Sequence, residues 1–171
     1  MKPRQRTKIA TLTFKREELL YDIGSYAYVE GDVMRTDDDH SRHQVIDITQ
    51  DGNVDLVTRK LNLVHSECVE MMYPYTKLPC EEEESRDDQL QDASEYTIRL
   101  LVPNDFSKTT VTLLSELVHE YMVCRGLADW MKLTNPQSTA DWQGKSEELS
   151  NKIRCCLNAR CGRVRRTLTP F

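Results

Sequence analysis

The fold is decided by residues 111–156, VTLLSELVHEYMVCRGLADWMKLTNPQSTADWQGKSEELSNKIRCC. Apolar residues recur at helical spacing on both sides of Asn135–Pro136, and this dipeptide interrupts the pattern because proline cannot continue a helix. The pattern predicts a broad apolar helix over 106–134 and a second helix over 138–160. Because the break between them is short, we expect the two helices to pack antiparallel as a hairpin.

The sequence before the hairpin predicts two further helices and two strands. The cleanest apolar stripe of the chain lies within 53–74, with steps of three and four residues, and a looser one lies within 15–34. Alternating apolar residues predict strands at Thr7–Phe14 and Tyr96–Val102, which could pair with each other or with the sheet edge of a neighbouring subunit. The polar stretch 35–52 has no sustained period and predicts a long loop, which could include a short turn at Val45–Ile48.

Together these elements predict a mainly α fold, a bundle of about four helices with a minor two-strand element. A length of 171 residues suits a single domain over 1–171. Residues 81–92 carry seven acidic residues and one Arg, so they predict a solvated acidic loop. Two basic arms, at 1–8 and 162–171, complete the expected organisation.

The net charge of −5 hides an uneven distribution. Residues 1–16 and 152–171 each carry six basic residues and no acidic one, which leaves 17–151 with a net charge of −17. Basic ends of this kind either are ordinary solubilising tails or bind an acidic surface, either nucleic acid or the acidic body of another subunit. The residues predicted to bind such a partner are Arg160, Arg163, Arg165, Arg166, Phe171, Arg4 and Arg6.

The search for chemistry predicts no catalytic residue, no cofactor and no bound metal. His119-Glu120 begins like a zinc-protease motif, but Val123 stands where the second histidine is required. Residues 51–62 begin like a calcium loop, but they lack the glycine and the bidentate glutamate that such a loop needs. The sequence also lacks the phosphate-binding, dinucleotide-binding and serine-hydrolase motifs.

One enzymatic rival stays open. Asp37–Asp39, His40 and His43 place carboxylates and imidazoles close together in the predicted loop, and these groups suit a divalent cation. The same residues are also what a solvated polar loop contains, and that reading is favoured. Metal analysis of the purified protein would separate the two.

The six cysteines do not indicate a disulfide scaffold. The chain is long enough to form a core, and we expect no secretory signal because no apolar segment follows its basic start. No apolar run is long enough to span a bilayer. We therefore expect reduced cysteines, a cytosolic setting and no membrane partner.

Residues 119–160, HEYMVCRGLADWMKLTNPQSTADWQGKSEELSNKIRCCLNAR, resemble the C-terminal helical hairpin of tailed-phage head–tail connector proteins, the adaptor or neck proteins below the portal. The shared features are a long helix with an ADW-like segment, a short break, a second helix with an early aromatic residue and a basic tail. The segments LTFKREELLYDIGSYAYVEGD and DGNVDLVTRKLNLVHSECVEMMYPYTK also resemble prophage proteins. The acidic segment 81–92 departs from the family pattern.

The resemblance implies a non-enzymatic virion structural protein that assembles as a ring homo-oligomer between the portal protein and the tail-completion proteins. DNA would pass through the channel without specific binding. Such a protein would assemble in the host cytoplasm and end in the virion. The alternative is a nucleic-acid-binding accessory protein of a mobile element that uses its basic termini.

Overall fold

A computed structural model describes residues 7–34, 39–77 and 94–158, which contain five α-helices, one short 3₁₀ turn and two strands. In chain order the elements are β1 (Thr7–Lys15), α1 (Arg16–Val33), α2 (Asp39–Ile46), the 3₁₀ turn (Asp47–Thr49), α3 (Asp51–Met71), β2 (Glu95–Pro103), α4 (Lys108–Thr134) and α5 (Thr139–Asn158). The predicted fold class, mainly α with a minor strand element, is confirmed. The acidic loop 81–92 lies outside the described residues.

The two strands pair with each other, which resolves the choice that the sequence left open. They form an antiparallel two-stranded sheet in which Thr7 faces Pro103 and Lys15 faces Glu95. One face of the sheet is buried against the helices, as strict alternation predicts. Its buried side chains are Leu12, Phe14, Tyr96, Ile98, Leu100 and Val102.

The outer edge of β2 is covered by α3 and the turn that follows it. The backbone N–H of Leu101 donates to the carbonyl of Tyr75 at 2.6 Å. Further along the strand, Nε2 of His65 lies 3.1 Å from the carbonyl oxygen of Thr97. This contact holds α3 against the sheet.

The predicted helical hairpin is present, and α4 forms the centre of the core. Thr110, near the start of α4, lies beside Cys156, near the end of α5, since Sγ of Cys156 is 4.0 Å from the Thr110 carbonyl oxygen. This contact establishes the antiparallel arrangement. No helix among the described residues has the length and apolar character needed to cross a bilayer.

The prediction of a long loop over 35–52 is wrong for its described part. Residues Asp39–Ile46 form α2, and the 3₁₀ turn follows directly. Tertiary contacts hold this segment: Val45 and Ile48 are fully buried, and the indole N–H of Trp130 donates to the Val45 carbonyl at 3.1 Å. Few apolar residues are needed for such contacts, so the segment shows no extended stripe in the sequence.

The glycines of α1 serve close packing and do not end the helix, which continues through Gly31 to Val33. A Cβ at Gly31 would lie 2.6 Å from Cγ1 of Ile46 and 3.3 Å from the backbone oxygen of Arg42. Since real Cβ atoms do not approach so closely, α2 can pack here only because residue 31 has no side chain.

Gly31→Ala is therefore expected to lower the free energy of unfolding by about 1–3 kcal/mol, because overpacking outweighs the gain in helix propensity. Gly144→Ala is the matched control, since Gly144 also lies inside a helix but a Cβ there meets nothing within 4 Å. The control should raise the free energy of unfolding by up to about 1 kcal/mol. Urea unfolding of both variants measures the difference, and equal effects would contradict the close packing.

Candidate subunit-contact surface

Helix α1 is apolar on two opposite sides. Leu19, Ile23 and Ala27 recur every four residues and are fully buried in the core. On the other side, Tyr21 is 74% exposed and Tyr28 is 60% exposed. Large apolar side chains that cluster on one exposed helix face are typical of an interaction surface.

This exposed face forms one wall of a groove, which we call the α1 groove. The other wall comes from the 3₁₀ turn and the first turns of α3, and the cavity has a volume of about 720 Å³. It is lined by Glu17, Leu20, Tyr21, Gly24, Ser25, Tyr28, Val29, Thr49 and Val54. Most of this lining is apolar or aromatic, which suits a protein partner with apolar side chains.

The floor of the α1 groove depends on Gly24. A Cβ at this position would lie 2.6 Å from Cγ2 of Thr49, so the α1 backbone packs directly against the Thr49 side chain. Tyr21 and Tyr28, one turn away from Gly24 on either side, also line the groove.

One carboxylate, that of Glu17, lines the α1 groove. Glu17 is exposed. The neighbouring Glu18 bonds to Lys15 at 3.0 Å and raises the pKa of Lys15, and the charge of Glu17 adds to this effect. The groove thus combines a mostly apolar lining with one acidic side chain.

The polar residues on the core side of α1 are all engaged in contacts between helices. Oδ2 of Asp22 lies 2.7 Å from Nε2 of His119, the hydroxyl of Tyr26 donates to Glu120 at 3.0 Å, and the indole N–H of Trp142 donates to Glu30 at 3.0 Å. These residues of α1 recur every four positions and form one line against α4 and α5. The hydrogen bond to the Glu120 carboxylate raises the pKa of Tyr26.

A second cavity, of about 560 Å³, lies between α3, α4 and α5 and is polar. Its lining includes two arginines and two glutamates, and Nε of Arg125 pairs with Glu67 at 3.5 Å. Burial is the main cause of the raised pKa of Tyr121 in its wall. With its charges balanced internally, this cavity offers less to a charged partner than the α1 groove does.

The residues of the metal-dependent rival do not come together in the described part. His40 and His43 lie on α2, and Nε2 of His40 is 3.0 Å from Nε2 of Gln44. Asp39 begins α2, whereas Asp37 and Asp38 lie outside the described residues. Across 7–34, 39–77 and 94–158, no three metal-ligating side chains form a group that could hold an ion.

The two cysteines of the core are shielded from solvent. Cys68 and Cys124 are buried, and desolvation raises the pKa of each thiol to about 12. Cys155 is exposed, whereas Cys80 and Cys161 lie outside the described residues.

A chain in which Cys80, Cys155, Cys156 and Cys161 are serine should therefore react with a thiol reagent at pH 8 at least about a hundredfold more slowly when native than in denaturant. Absorbance of the released thiolate measures the rate. Stability should fall as the pH rises from about 9 towards about 12, because the unfolded thiols ionise first. Rapid labelling of the native protein would contradict the burial of both thiols.

All the residues predicted from the sequence to bind a partner lie outside the described residues: Arg160, Arg163, Arg165, Arg166, Phe171, Arg4 and Arg6. The described chain ends at Asn158, close to the point where the hydroxyl of Tyr75 donates to the Leu157 carbonyl at 3.5 Å.

The α1 groove was not predicted from the sequence. The looser stripe predicted within 15–34 does not coincide with one buried face, because Leu19 and Ile23 are buried whereas Val33 is 71% exposed and Tyr26 lies at the surface. The available signal was the pair of tyrosines, Tyr21 and Tyr28, placed seven residues apart on the side opposite Leu19 and Ile23.

Comparisons with known proteins do not assign the chain to a family. No family model matches the chain, and neither the curated proteins nor the solved structures yield a significant match.

Proposed function

We propose that this chain is a non-enzymatic structural protein of a tailed-phage virion, a head–tail adaptor that forms a ring between the portal and the tail. The observation that carries the proposal is the second apolar face of α1. Tyr21, Tyr28 and Val29 are each more than half exposed, although a monomeric protein gains nothing from keeping such a stripe in water. A ring of identical subunits would cover it.

The resemblance of 119–160 to the hairpins of head–tail connector proteins supports the proposed position between the portal and the tail. The hairpin of α4 and α5 supplies a rigid body, and the exposed side of α1 supplies a surface for subunit contact. A surface that binds a different surface on the next copy generates a ring when the rotation closes. The adaptor assembles in the host cytoplasm and then becomes part of the virion.

The charge distribution supports a channel through which DNA slides. Residues 17–151 carry a net charge of −17, and a wall of this sign repels DNA phosphates. The basic ends are then available for the portal, for tail-completion proteins or for the acidic body of the next subunit.

The test combines native mass spectrometry and negative-stain microscopy of the full chain, alone and with the portal protein from the same genome. Rings, or binding to portal rings, are the expected result. A strict monomer that ignores portal rings would contradict the proposal. Filter binding to duplex DNA across a salt series distinguishes the adaptor from the nucleic-acid-binding alternative. Only the alternative requires tight binding with a steep salt dependence.

A further inference from the structure

The two edges of the β1–β2 sheet differ in what covers them. At the β2 edge, the N–H of Leu101 donates to the carbonyl of Tyr75, and the carbonyl oxygen of Thr97 lies 3.1 Å from Nε2 of His65. These contacts also fix the direction of the backbone groups, since successive residues of a strand point alternately towards and away from the paired strand. The backbone groups of Leu101 and Thr97 therefore point away from β1.

The edge formed by β1 is open in the described part of the chain. Ile9 lies opposite Leu101 and Thr13 lies opposite Thr97, so the backbone N–H and C=O groups of Ile9, Thr11 and Thr13 point away from β2. None of these groups has a hydrogen-bond partner within 7–34, 39–77 and 94–158. The three side chains are exposed as well. Strand β1 thus presents a row of free donors and acceptors.

The central part of β1 lacks the features that usually protect a sheet edge. Proline, a bulge or a charged side chain on the edge prevents pairing with another strand, and the segment Ile9–Thr13 contains none of these. The flanking lysines are engaged elsewhere. Nζ of Lys8 donates to the carbonyls of Asn104 and Phe106 at 3.1 and 2.7 Å, and Nζ of Lys15 donates to a carboxylate at the start of α1. The edge can therefore accept a further strand.

The sequence of β1 suits pairing with a second copy of itself. In the antiparallel register that pairs all nine residues of the strand, Thr11 lies opposite Thr11 of the second copy and Ile9 lies opposite Thr13. The exposed face then has β-branched residues opposite one another, and such cross-strand pairs stabilise a sheet. The lysines of β1 lie opposite Thr7 and Phe14, so no like charges face each other.

We propose that β1 of one copy pairs with β1 of a second copy about a twofold axis at Thr11, which produces a four-stranded antiparallel sheet. A two-stranded sheet is only marginally stable by itself and gains stability from added strands. Residues of the same face lie opposite each other in this register, so the helices of both copies lie on one side of the sheet. A twofold contact closes after two copies, so it goes beyond the head-to-tail contact of the proposed ring.

Single cysteines on the exposed face of β1 test the register. In the proposed dimer the Cα atoms of the two copies of residue 11 lie about 5.5 Å apart, which is within the range of a disulfide. Thr11→Cys should therefore give a disulfide-linked dimer under mild oxidation, and non-reducing electrophoresis measures its yield. The full chain is used, with serine at Cys80, Cys155, Cys156 and Cys161.

Thr13→Cys in the same background is the matched control. Residue 13 lies on the same exposed face, but it is about 14 Å from residue 13 of the second copy. Its yield of linked dimer should be at least about tenfold lower. A mixture of Ile9→Cys and Thr13→Cys chains should be linked, because these positions lie opposite each other. Equal yields from Thr11→Cys and Thr13→Cys, or no linked dimer from Thr11→Cys, would overturn the proposed pairing.

Removal of one N–H tests whether the backbone forms the contact. Thr11→Pro deletes a donor that is unused within the described ranges, and an edge strand tolerates proline where the N–H faces outwards. Sedimentation equilibrium should show dimerisation weakened by about tenfold or more, since the bond is lost in both copies. Thr11→Val keeps the N–H and should change dimerisation by less than about threefold. Equal effects in two variants with wild-type circular dichroism would contradict backbone pairing.

Native mass spectrometry of the Thr11→Cys chain keeps this proposal separate from the proposed function. Linked dimers without rings, alone or with the portal protein, would support the β1 contact and contradict the adaptor. Rings without the Thr11→Cys linkage would overturn the β1 contact and leave the adaptor function in place. A chain that forms neither would contradict both.

Discussion

A chain carrying Leu61→Ala should lose about 3–4 kcal/mol of unfolding free energy, because the deletion leaves a cavity in addition to the lost burial. Leu61 is fully buried on α3, where α1, α3 and α4 come together around Gly126. A Cβ at Gly126 would lie 3.1 Å from Cδ1 of Ile23 and 3.9 Å from Cδ2 of Leu61. Because the α4 backbone is already in close contact there, it has little freedom to move into the vacated space.

The loss would be a large fraction of the total for a domain of this kind, which is typically about 5–15 kcal/mol. Leu63→Ala is the matched control, since Leu63 lies on the same helix and is 54% exposed. Its effect should stay within about 0.5 kcal/mol. Chemical denaturation measured by circular dichroism gives both values, and similar losses for the two variants would contradict the assigned face of α3.

Tyr21→Glu combined with Tyr28→Glu should weaken subunit association by about a thousandfold, since buried aromatic residues at interfaces each contribute about 2 kcal/mol or more. The added carboxylates would also repel the existing carboxylate of Glu17. Folding should be unaffected because both tyrosines are largely exposed in the single subunit. Sedimentation velocity over a concentration series measures the loss of assembly.

Tyr73→Glu is the control for this pair. Tyr73 is 57% exposed but follows the far end of α3, roughly 28 Å along the helix direction from Val54. The same change of residue type at this position should leave assembly intact. If the control also dissociates the oligomer, the effect is one of general surface charge and the α1 groove is not the contact.

Much of the fold could be predicted because a helix or strand that buries one face has apolar residues at regular spacing in the sequence. The stripe within 53–74 predicted α3, which spans Asp51–Met71, and the proline break at 136 separated α4 from α5. Both strands were located to within one residue at each end. Each of these elements buries a continuous row of apolar side chains, and such rows are visible without knowledge of the partner.

Features that depend on tertiary contacts could not be predicted in the same way. Helix α2 is short and polar, and it is held by Val45, Ile48 and the hydrogen bond from Trp130. Gly24 allows the α1 backbone to pack closely against the Thr49 side chain, and both residues line the groove. Neither contact can be inferred from spacing, because each partner lies on a different element.

The candidate surface combines an element that was predicted with a property that was not. A helix over 15–34 was expected, and the basic arm 162–171 was identified from charge alone. That α1 has a second apolar face became clear only when Leu19 and Ile23 were seen in the core and Tyr21 and Tyr28 outside it.

The central claim is that identical subunits assemble beneath the portal through the exposed side of α1. Electron cryo-microscopy of the full chain co-expressed with the portal protein from the same genome tests it most directly. The account predicts a ring of this fold on the portal, with α1 of every subunit at the boundary with its neighbour and with Tyr21 and Tyr28 buried there. A portal complex that lacks this chain, or a ring in which α1 faces solvent, would contradict it.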